Sequence, residues 1–339
     1  MRFTRGWTAL SNSSRAASSP AAAREARSSR SIASTCGTIG EVTVPDSLGR
    51  LRKVERIGSG GFASVWKYHD DQLDSAVAVK ALADNWAQRL DMRDRFLEEA
   101  RILRRAGSEH VISVHDIGEH DGTPYFVMTY ADRGTVADLL DDPPGVGEVL
   151  DLVDQAAAGI SVLHRQGIIH RDIKPQNLLL ASTDDGGMRL LVADLGMAKA
   201  DLQASGLTQV VGTPAYMAPE QATGVGLSTK ADTFALAAVA YRLLTGHAVR
   251  EGGLADVVSG ASHTPPSQHG LPKQADAVFA KALAAAPGDR PTPAEFAAQL
   301  RAAYEPAQER SGSVMALLLA VLVFAAFFAA AYAATALLR

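Results

Sequence analysis

The sequence predicts an α+β globular domain between two ends of different composition. Residues 51–303 alternate between short strand-like and longer helix-like patterns, residues 1–45 lack apolar periodicity, and residues 314–338 are continuously apolar. The length of 339 residues fits two units or one two-lobed domain. A hydrophobic content of 47% supplies enough apolar material for a core. The net charge of −4 provides no basic field, so nucleic acid is not expected as a partner.

The first 45 residues are rich in Ser, Ala and Arg. Six arginines stand against two acids, Glu25 and Glu41, and this composition favours a disordered tail. An organellar transit peptide has a similar composition, and a start codon assigned too far upstream would produce a similar segment. The single cysteine of the chain, Cys36, lies here and cannot form an intrachain disulfide. A secreted scaffold held by disulfides is therefore excluded.

The other end of the chain contains a 25-residue segment, 314–338, without charge, proline or glycine. As a helix it would span about 37 Å, more than the roughly 30 Å of a bilayer's hydrocarbon core. A buried core helix of this length would usually keep a polar face. The segment therefore predicts one transmembrane helix after a juxtamembrane linker at 304–313. Since Arg339 alone follows it, we expect a single-pass C-terminal anchor in the lipid bilayer.

The globular region opens with a strand hairpin that has a glycine-rich tip. Residues 51–57 alternate, the tip Gly58-Ser59-Gly60-Gly61 interrupts them, and a strand resumes over 62–68. Glycines at such a tip allow backbone N–H groups to approach phosphate oxygens without interference from a Cβ atom. A third strand is predicted over 76–80, and apolar residues at helical spacing predict a helix over 91–105.

Three polar motifs follow in order along the chain. Residues 170–177 read HRDIKPQN, residues 194–196 read DLG after a strand-like stretch, and residues 212–220 read GTPAYMAPE. Together with the glycine-rich hairpin and Lys80 in the third strand, they resemble the eukaryotic-type protein kinase family over residues 51–303, most like bacterial membrane-anchored Ser/Thr protein kinases. The resemblance implies a two-lobed protein kinase fold, with a small β-rich N-terminal lobe and a larger helical C-terminal lobe.

The resemblance also implies roles for the charged residues. Asp172 would orient the substrate hydroxyl and accept its proton, Lys174 would compensate charge on the γ-phosphate, and Lys80 would bind the α- and β-phosphates of ATP. Glu99 would fix Lys80 through an ion pair. We choose Glu99 over Glu98 because residues 96–100 read FLEEA, matching the family pattern F-x-x-E-A. Asn177 and Asp194 would supply oxygen ligands to Mg²⁺.

The nucleotide site implied by the resemblance is formed by the glycine-rich loop, the third strand, the segment between the lobes and the strand after residues 170–177, which correspond to the family's catalytic loop. Besides Lys80, its residues are Ile57, Gly58, Ser59, Gly60, Gly61, Phe62, Ala63, Ser64, Val65, Ala78, Met128, Thr129, Ala131 and Leu179. Two positions depart from the family pattern, Ala63 at its third glycine and Leu195 in place of the phenylalanine of Asp-Phe-Gly. Neither change removes a charge or a hydrogen-bond donor.

The resemblance implies phosphorylation of Ser and Thr on protein substrates, because Lys174 follows the loop Asp by two residues as in Ser/Thr kinases. An ATP-binding pseudokinase scaffold at the membrane is the alternative function, and the intact APE segment at 218–220 disfavours a small-molecule phosphotransferase. Thr208 and, second, Ser205 are the candidate phosphosites that would pair with Arg171.

Two further residues are assigned to the fold by the resemblance. Asp232 would hold the backbone of the catalytic loop, and Arg290 would pair with Glu220. Because ATP is cytosolic, the kinase domain is expected to face the cytoplasm. Alanines at four-residue spacing within 314–338 would allow close helix pairing and a homodimer, although alanine is abundant throughout this chain.

Overall fold

The computed structural model describes residues 44–196, 214–224, 226–250, 256–257 and 263–305. Among the described residues, the smaller lobe contains six strands and two helices. They are β1 (Ser47–Leu48), β2 (Leu51–Ser59), β3 (Ala63–Asp70), β4 (Ser75–Leu82), α1 (Asp84–Ala87), α2 (Leu90–Ala106), β5 (Val114–His120) and β6 (Thr123–Thr129).

The larger lobe is mainly helical. Its described elements are α3 (Val146–Arg165), β7 (Leu178–Ser182), β8 (Met188–Val192), α4 (Pro219–Thr223), α5 (Lys230–Thr245), α6 (Lys273–Ala282) and α7 (Pro293–Tyr304). Short 3₁₀ turns lie between them, including one at Pro175–Asn177 immediately before β7. The α+β class predicted from the sequence matches this architecture.

The small lobe is built on one antiparallel sheet with strand order β1-β2-β3-β4-β6-β5. Strand alternation separates two faces, because successive side chains point to opposite sides. One face carries Val65, Lys80 and Phe126, which pair directly across β3, β4 and β6. The outer face carries Tyr68, Val79 and other apolar side chains of a separate small core. The first face thus turns toward the large lobe, whose core includes Phe126.

The folded small lobe begins before residue 51, where the sequence analysis places the start of the domain. Val44 is 5% exposed and packs in the outer-face core. The Tyr68 hydroxyl donates to the Pro45 carbonyl at 2.7 Å, and the Lys53 ammonium donates to the Val44 carbonyl at 3.1 Å. Val44 and Pro45, placed in the predicted disordered tail, therefore belong to the lobe, because a buried tyrosine and a lysine hold their backbone.

The large lobe is organised around α5. Its sequence is apolar on nearly all sides, and most of its residues are buried, as expected of a central helix. Helix α3 packs against α5, α7 and strand β8. The hairpin β7–β8 contributes apolar residues to this core, and β8 packs against α3.

A close backbone contact joins α2's C-terminal connection to the large lobe. His110 accepts a hydrogen bond from the Val192 N–H at 2.9 Å, and Ile112 donates to the Val192 carbonyl at 3.0 Å. Gly159, in the middle of α3, packs against the same segment. A Cβ atom on Gly159 would lie 2.3 Å from the His110 carbonyl oxygen, so the residue must be glycine for this approach.

Several predicted segments lie outside the described residues. They are the tail up to residue 43, the candidate phosphosites Ser205 and Thr208, the linker from residue 306 and the apolar segment 314–338. Within the part of the chain that the structure describes, no helix combines the length and apolar character needed to cross a bilayer.

Candidate active site

Lys80 lies at the centre of the cleft between the lobes and contacts two carboxylates. Its ammonium is 2.7 Å from Glu99 Oε1 and also forms an ion pair with Asp194. The Lys80–Glu99 pair is the one that the family resemblance implies. Burial alone would lower the pKa of Lys80, but the charges of Asp194 and Glu99 outweigh burial and raise the pKa. The two carboxylates therefore favour the charged form of Lys80.

Glu99 reaches Lys80 because α2 packs against the sheet. Phe96, one turn before Glu99, lies 5.0 Å from the ring of Phe126 on β6, the strand next to Lys80. Glu99 faces inward from the same side of the helix and is buried. The ion pair thus joins α2 to β4, and it depends on the position of the whole helix.

The catalytic loop holds the Asp172 carboxylate between two side chains. The Lys174 ammonium is 3.0 Å from Asp172 Oδ2, and the Asn177 amide donates to the same oxygen at 2.8 Å. The amide nitrogen of Asn177 also donates to the Asp172 backbone carbonyl at 2.7 Å. The loop therefore presents one oriented carboxylate beside one cation.

Asp232 on α5 holds the backbone of this loop. Its carboxylate accepts hydrogen bonds from the N–H groups of His170 and Arg171 at 2.8 and 2.9 Å. The His164 imidazole adds a third contact at 2.8 Å. The predicted role of Asp232 is confirmed.

His170 connects the catalytic loop with the segment that follows β8. Burial lowers its pKa and thereby favours the neutral imidazole. Its Nε2 lies 3.0 Å from the Ala193 carbonyl, and its Nδ1 accepts from the Asp172 N–H at 3.3 Å. The protonated nitrogen is therefore Nε2, as these two partners require.

The Asp194 segment is packed directly on the loop. Ala193 donates to the Asn177 carbonyl at 2.9 Å, and Gly196 donates to the His170 carbonyl at 3.0 Å. A Cβ atom on Gly196 would lie 3.1 Å from the Asp172 Cβ atom, so glycine permits this packing. Leu195 is buried in the main core, which explains why an aliphatic residue suffices at this position.

Asn177 and Asp194 fit the requirements of a Mg²⁺ site. The amide nitrogen of Asn177 is directed to Asp172, which leaves its amide oxygen as a ligand. The Asp194 side chain is 45% exposed and supplies a carboxylate on the open side of the cleft. Two hard oxygen donors are what Mg²⁺ takes from a protein when phosphates and waters complete its coordination.

The predicted nucleotide residues lie mostly on the cleft side of the small lobe. Gly58 pairs with Val65, and Ala78 pairs with Met128, on the face that carries Lys80. The predicted residues Ala63 and Leu179 pack at the margin of the same core. Ile57, Ser59, Gly60 and Gly61 are exposed at the tip of the hairpin and just before it.

Three of these residues lie on the outer face: Ser59 pairs with Ser64, Thr129 pairs with Val77, and the clearest case is Ser64. Its neighbours across the strands belong to the outer face, and its hydroxyl accepts a hydrogen bond from the Trp66 indole at 2.9 Å. The side chain of Ser64 therefore points away from the cleft. Its backbone alone belongs to the predicted loop.

Two features beside the site were not predicted from the sequence. Asp132, directly after the predicted residue Ala131, accepts hydrogen bonds from the N–H and hydroxyl of Ser182 at 2.7 and 2.6 Å. Trp86 on α1 contacts the glycine-rich tip. Neither residue stands in a motif, and each contact joins segments far apart in sequence, so no local pattern could have indicated them.

Arg290 and Glu220 form a buried bidentate pair in the large lobe. The two guanidinium nitrogens lie 2.6 and 2.8 Å from the two carboxylate oxygens. The predicted pairing is confirmed. It holds α4, which carries Glu220, against the segment preceding α7.

The two lobes and the Lys80–Glu99–Asp194 arrangement between them define a protein kinase fold. Residues 51–300 match the model of the protein kinase domain, and the chain belongs to this family. The family resemblance of the sequence is thereby confirmed.

Several characterised proteins are similar to this chain. Serine/threonine-protein kinase PknJ of Mycobacterium tuberculosis is 36% identical over 72% of this chain and 44% of its own length. PknF of the same species is 36% identical over 70% of this chain and 52% of its own length, and Pkn1 of Myxococcus xanthus is 33% identical over 71% and 36%. The chain thus spans about a third to a half of the length of these relatives. The crystal structure of the M. tuberculosis PknI kinase domain is 27% identical, covers 79% of this chain and 100% of its own, and has a TM-score of 0.59.

Proposed function

We propose that this chain is a serine/threonine protein kinase, which transfers the γ-phosphate of Mg·ATP to Ser and Thr hydroxyls on proteins. The observation that carries the proposal is the connected set of charges in the cleft. Lys80 contacts Glu99 and Asp194, and the Asp172 carboxylate is held by Lys174 and Asn177. Relatives named as serine/threonine-protein kinases support the same class of substrate.

Each side chain has a separate task in this reaction. The Lys80 ammonium binds phosphate oxygens, and Glu99 keeps it in position. Asp172 would orient the acceptor hydroxyl and take its proton at a carboxylate oxygen, and the neighbouring Lys174 cation would compensate charge on the transferred phosphate. Asn177 and Asp194 would hold Mg²⁺, and the bound ion would supply positive charge that offsets the negative charge of the phosphates.

A catalytically inactive ATP-binding scaffold is the competing function. The charged groups that such a protein would lack are present, and they are connected by short ion pairs and hydrogen bonds. Activity therefore accounts for the site better than nucleotide binding alone.

The first prediction is that Asp172→Asn abolishes phosphoryl transfer. The amide keeps the shape of the side chain but cannot accept the hydroxyl proton, so turnover should fall by about 10²- to 10⁴-fold. Radiolabelled autophosphorylation of the full-length protein and phosphorylation of a generic protein substrate measure the loss. ATP binding should persist in the variant, which separates a loss of chemistry from unfolding. A wild-type protein that binds ATP and transfers no phosphate would overturn the proposal.

We further propose autophosphorylation at Thr208, with Ser205 as the second acceptor. Arg171 supports this proposal because its backbone is fixed by Asp232 while its side chain is exposed. A phosphate on Thr208 or Ser205 near Arg171 would form charge-assisted hydrogen bonds with its guanidinium. Mass spectrometry of the active protein should find phosphate at Thr208. Fully active enzyme without phosphate at either residue would contradict this assignment.

The proposal extends to the membrane. The apolar segment 314–338 would anchor the chain in the lipid bilayer by a single C-terminal pass, with the kinase domain in the cytoplasm, where ATP is available. Carbonate extraction of membranes from expressing cells tests the anchor. Retention of the full chain in the pellet, and release of a chain that ends at residue 313, is the expected result.

A further inference from the structure

The tip of the glycine-rich loop is attached to α1 by one tryptophan. The indole nitrogen of Trp86 donates a hydrogen bond to the Gly61 carbonyl at 2.8 Å. The phenyl ring of Phe62 also packs against the indole ring of Trp86, with ring centroids 5.1 Å apart and planes tilted by 40°. Two consecutive residues of the loop therefore contact the same side chain.

The backbone reinforces this attachment. The Ala83 N–H, just before α1, donates to the Phe62 carbonyl at 2.8 Å. The tip itself is closed by a hydrogen bond from the Gly60 N–H to the Ala63 carbonyl at 2.9 Å. The polar contact with Gly61, however, depends on the Trp86 indole N–H.

Trp86 also contacts the beginning of α2, the helix that carries Glu99. The Arg89 guanidinium lies 5.6 Å from the centre of the Trp86 ring, a cation–π contact. Arg89 in turn pairs with Asp91 in the first turn of α2 at 2.8 Å. A continuous series of contacts thus runs from the glycine-rich loop through Trp86 to α2.

A glycine-rich loop needs such support. Glycine loses more conformational freedom on ordering than any other residue, so an unsupported tip would spread over many conformations. Gly58, Gly60 and Gly61 are three of the four residues at this tip, and residues 59–61 are exposed. An external contact that holds the Gly61 carbonyl restricts the loop to fewer conformations. In those that remain, the loop N–H groups can reach the phosphates.

We propose that Trp86 is a positioning residue that holds the glycine-rich loop in its phosphate-binding conformation. The proposal rests on the kinase function proposed above. It requires that Trp86 affect the binding of the phosphates of ATP and have little influence on the adenosine part. A residue that merely stabilised the lobe would change both to the same extent.

Two substitutions in the full-length protein separate the contributions of Trp86. Trp86→Phe keeps a ring beside Phe62 but removes the indole N–H, and Trp86→Leu removes both. Loss of one neutral hydrogen bond corresponds to about a three- to tenfold weaker ATP affinity for Trp86→Phe, with a larger loss for Trp86→Leu. The KM for ATP should rise by the same factor, whereas kcat should change less than the KM.

The matched control is Trp66→Phe. Trp66 also uses its indole N–H in a hydrogen bond, but to the Ser64 hydroxyl on the outer face of the sheet. This variant should keep the wild-type ratio of ATP affinity to adenosine affinity. Hydrogen exchange of peptides covering residues 59–64 should accelerate in Trp86→Phe without nucleotide and remain unchanged in Trp66→Phe.

The outcomes distinguish this proposal from the proposed function. If the wild type binds ATP but transfers no phosphate, the kinase function fails, and the ratio of ATP to adenosine affinity still decides the role of Trp86. If Trp86→Phe leaves both that ratio and the hydrogen exchange of the loop unchanged while transfer persists, the positioning role is overturned. An equal weakening of ATP and adenosine binding would also overturn it.

Discussion

Two residues of the site, Arg171 and Asp194, have left-handed backbone conformations although neither is glycine. Their φ angles are 67° and 64°. Such conformations cost about 1–2 kcal/mol each for a residue with a side chain. The surrounding hydrogen bonds offset this cost, because the Arg171 N–H is held by Asp232 and the Gly196 N–H by the His170 carbonyl. The loop geometry therefore depends on a residue of α5 that touches no substrate.

The Asp232→Asn variant tests this dependence. The amide replaces one acceptor oxygen by a donor, so one of the two loop N–H groups loses its partner inside the protein, at a cost of about 1–3 kcal/mol. We expect kcat to fall about 10- to 100-fold while the affinity for ATP changes little, because Lys80 and the sheet are untouched. Steady-state kinetics together with direct ATP binding measure the two effects separately.

A matched control is Asp276→Asn. The Asp276 carboxylate accepts hydrogen bonds from the N–H and hydroxyl of Ser267 at 2.8 and 2.7 Å, remote from the catalytic loop. This variant should lose stability without losing turnover. Equal kcat values for the two variants would show that the loop does not require Asp232.

At the scale of the element, the N-terminal segment is attached to the sheet by Tyr68. Burial, the charge of Asp46 and the neighbouring Tyr125 raise the pKa of Tyr68 to about 12, from 10.0. The folded state therefore keeps the proton at pH values where the unfolded chain loses it. The stabilisation is complete below about pH 10 and is lost as the pH rises from about 10 toward 12.

Tyr68→Phe should flatten this dependence. The variant loses the hydrogen bond to Pro45 and should be about 1 kcal/mol less stable at neutral pH. Between about pH 10 and 12, however, the wild type should lose about 2–3 kcal/mol that the variant does not lose. Thermal unfolding of both proteins across this range gives the difference, and the tyrosines that are not coupled to Tyr68 contribute equally to both curves. Parallel curves would mean that Tyr68 is not protected in the folded state.

The elements that could be predicted are those with a regular spacing of apolar residues over a short stretch of sequence. The glycine-rich hairpin, the strand with Lys80 and the helix with Glu99 follow from alternation and helical spacing, and the predicted helix at 91–105 differs from α2 by one residue at each end. The attachment of Val44 to Tyr68 was not predictable, because it joins two segments whose spacing carries no signal. The orientation of Ser64 follows from strand register, which fixes the face of each side chain only once the pairing is known.

At the scale of the whole molecule, the proposed anchor would concentrate kinase domains at one surface. Ala325, Ala329 and Ala333 recur at four-residue spacing and would allow two helices to approach closely. A dimer would raise the effective concentration of each domain toward its partner and promote mutual phosphorylation. If the spaced alanines bring two helices together, substituting them should disrupt the dimer. If alanine is only abundant in this chain, the substitutions should leave the dimer unchanged.

Replacing Ala329 and Ala333 by Leu should lower together the yield of crosslinked dimer and the phosphate content at Thr208 and Ser205. The leucines keep the segment apolar, so membrane retention should remain at the wild-type level. Crosslinking in membranes and phosphopeptide mass spectrometry on the same samples measure both quantities. Unchanged dimer and phosphate levels would restrict the segment to anchoring.

The contact of His110 with Val192 and Gly159 restrains the C-terminal end of α2, so that a movement of the helix is a rotation about this end. Glu99 lies eight residues, or about 12 Å, from Gly107 at the fixed end, whereas Leu90 lies about 25 Å from it. Any rotation about the fixed end displaces Leu90 about twice as far as Glu99. The contact between Arg89 and Trp86 restrains the far end of α2. A given displacement allowed at that end therefore moves the Glu99 carboxylate only about half as far.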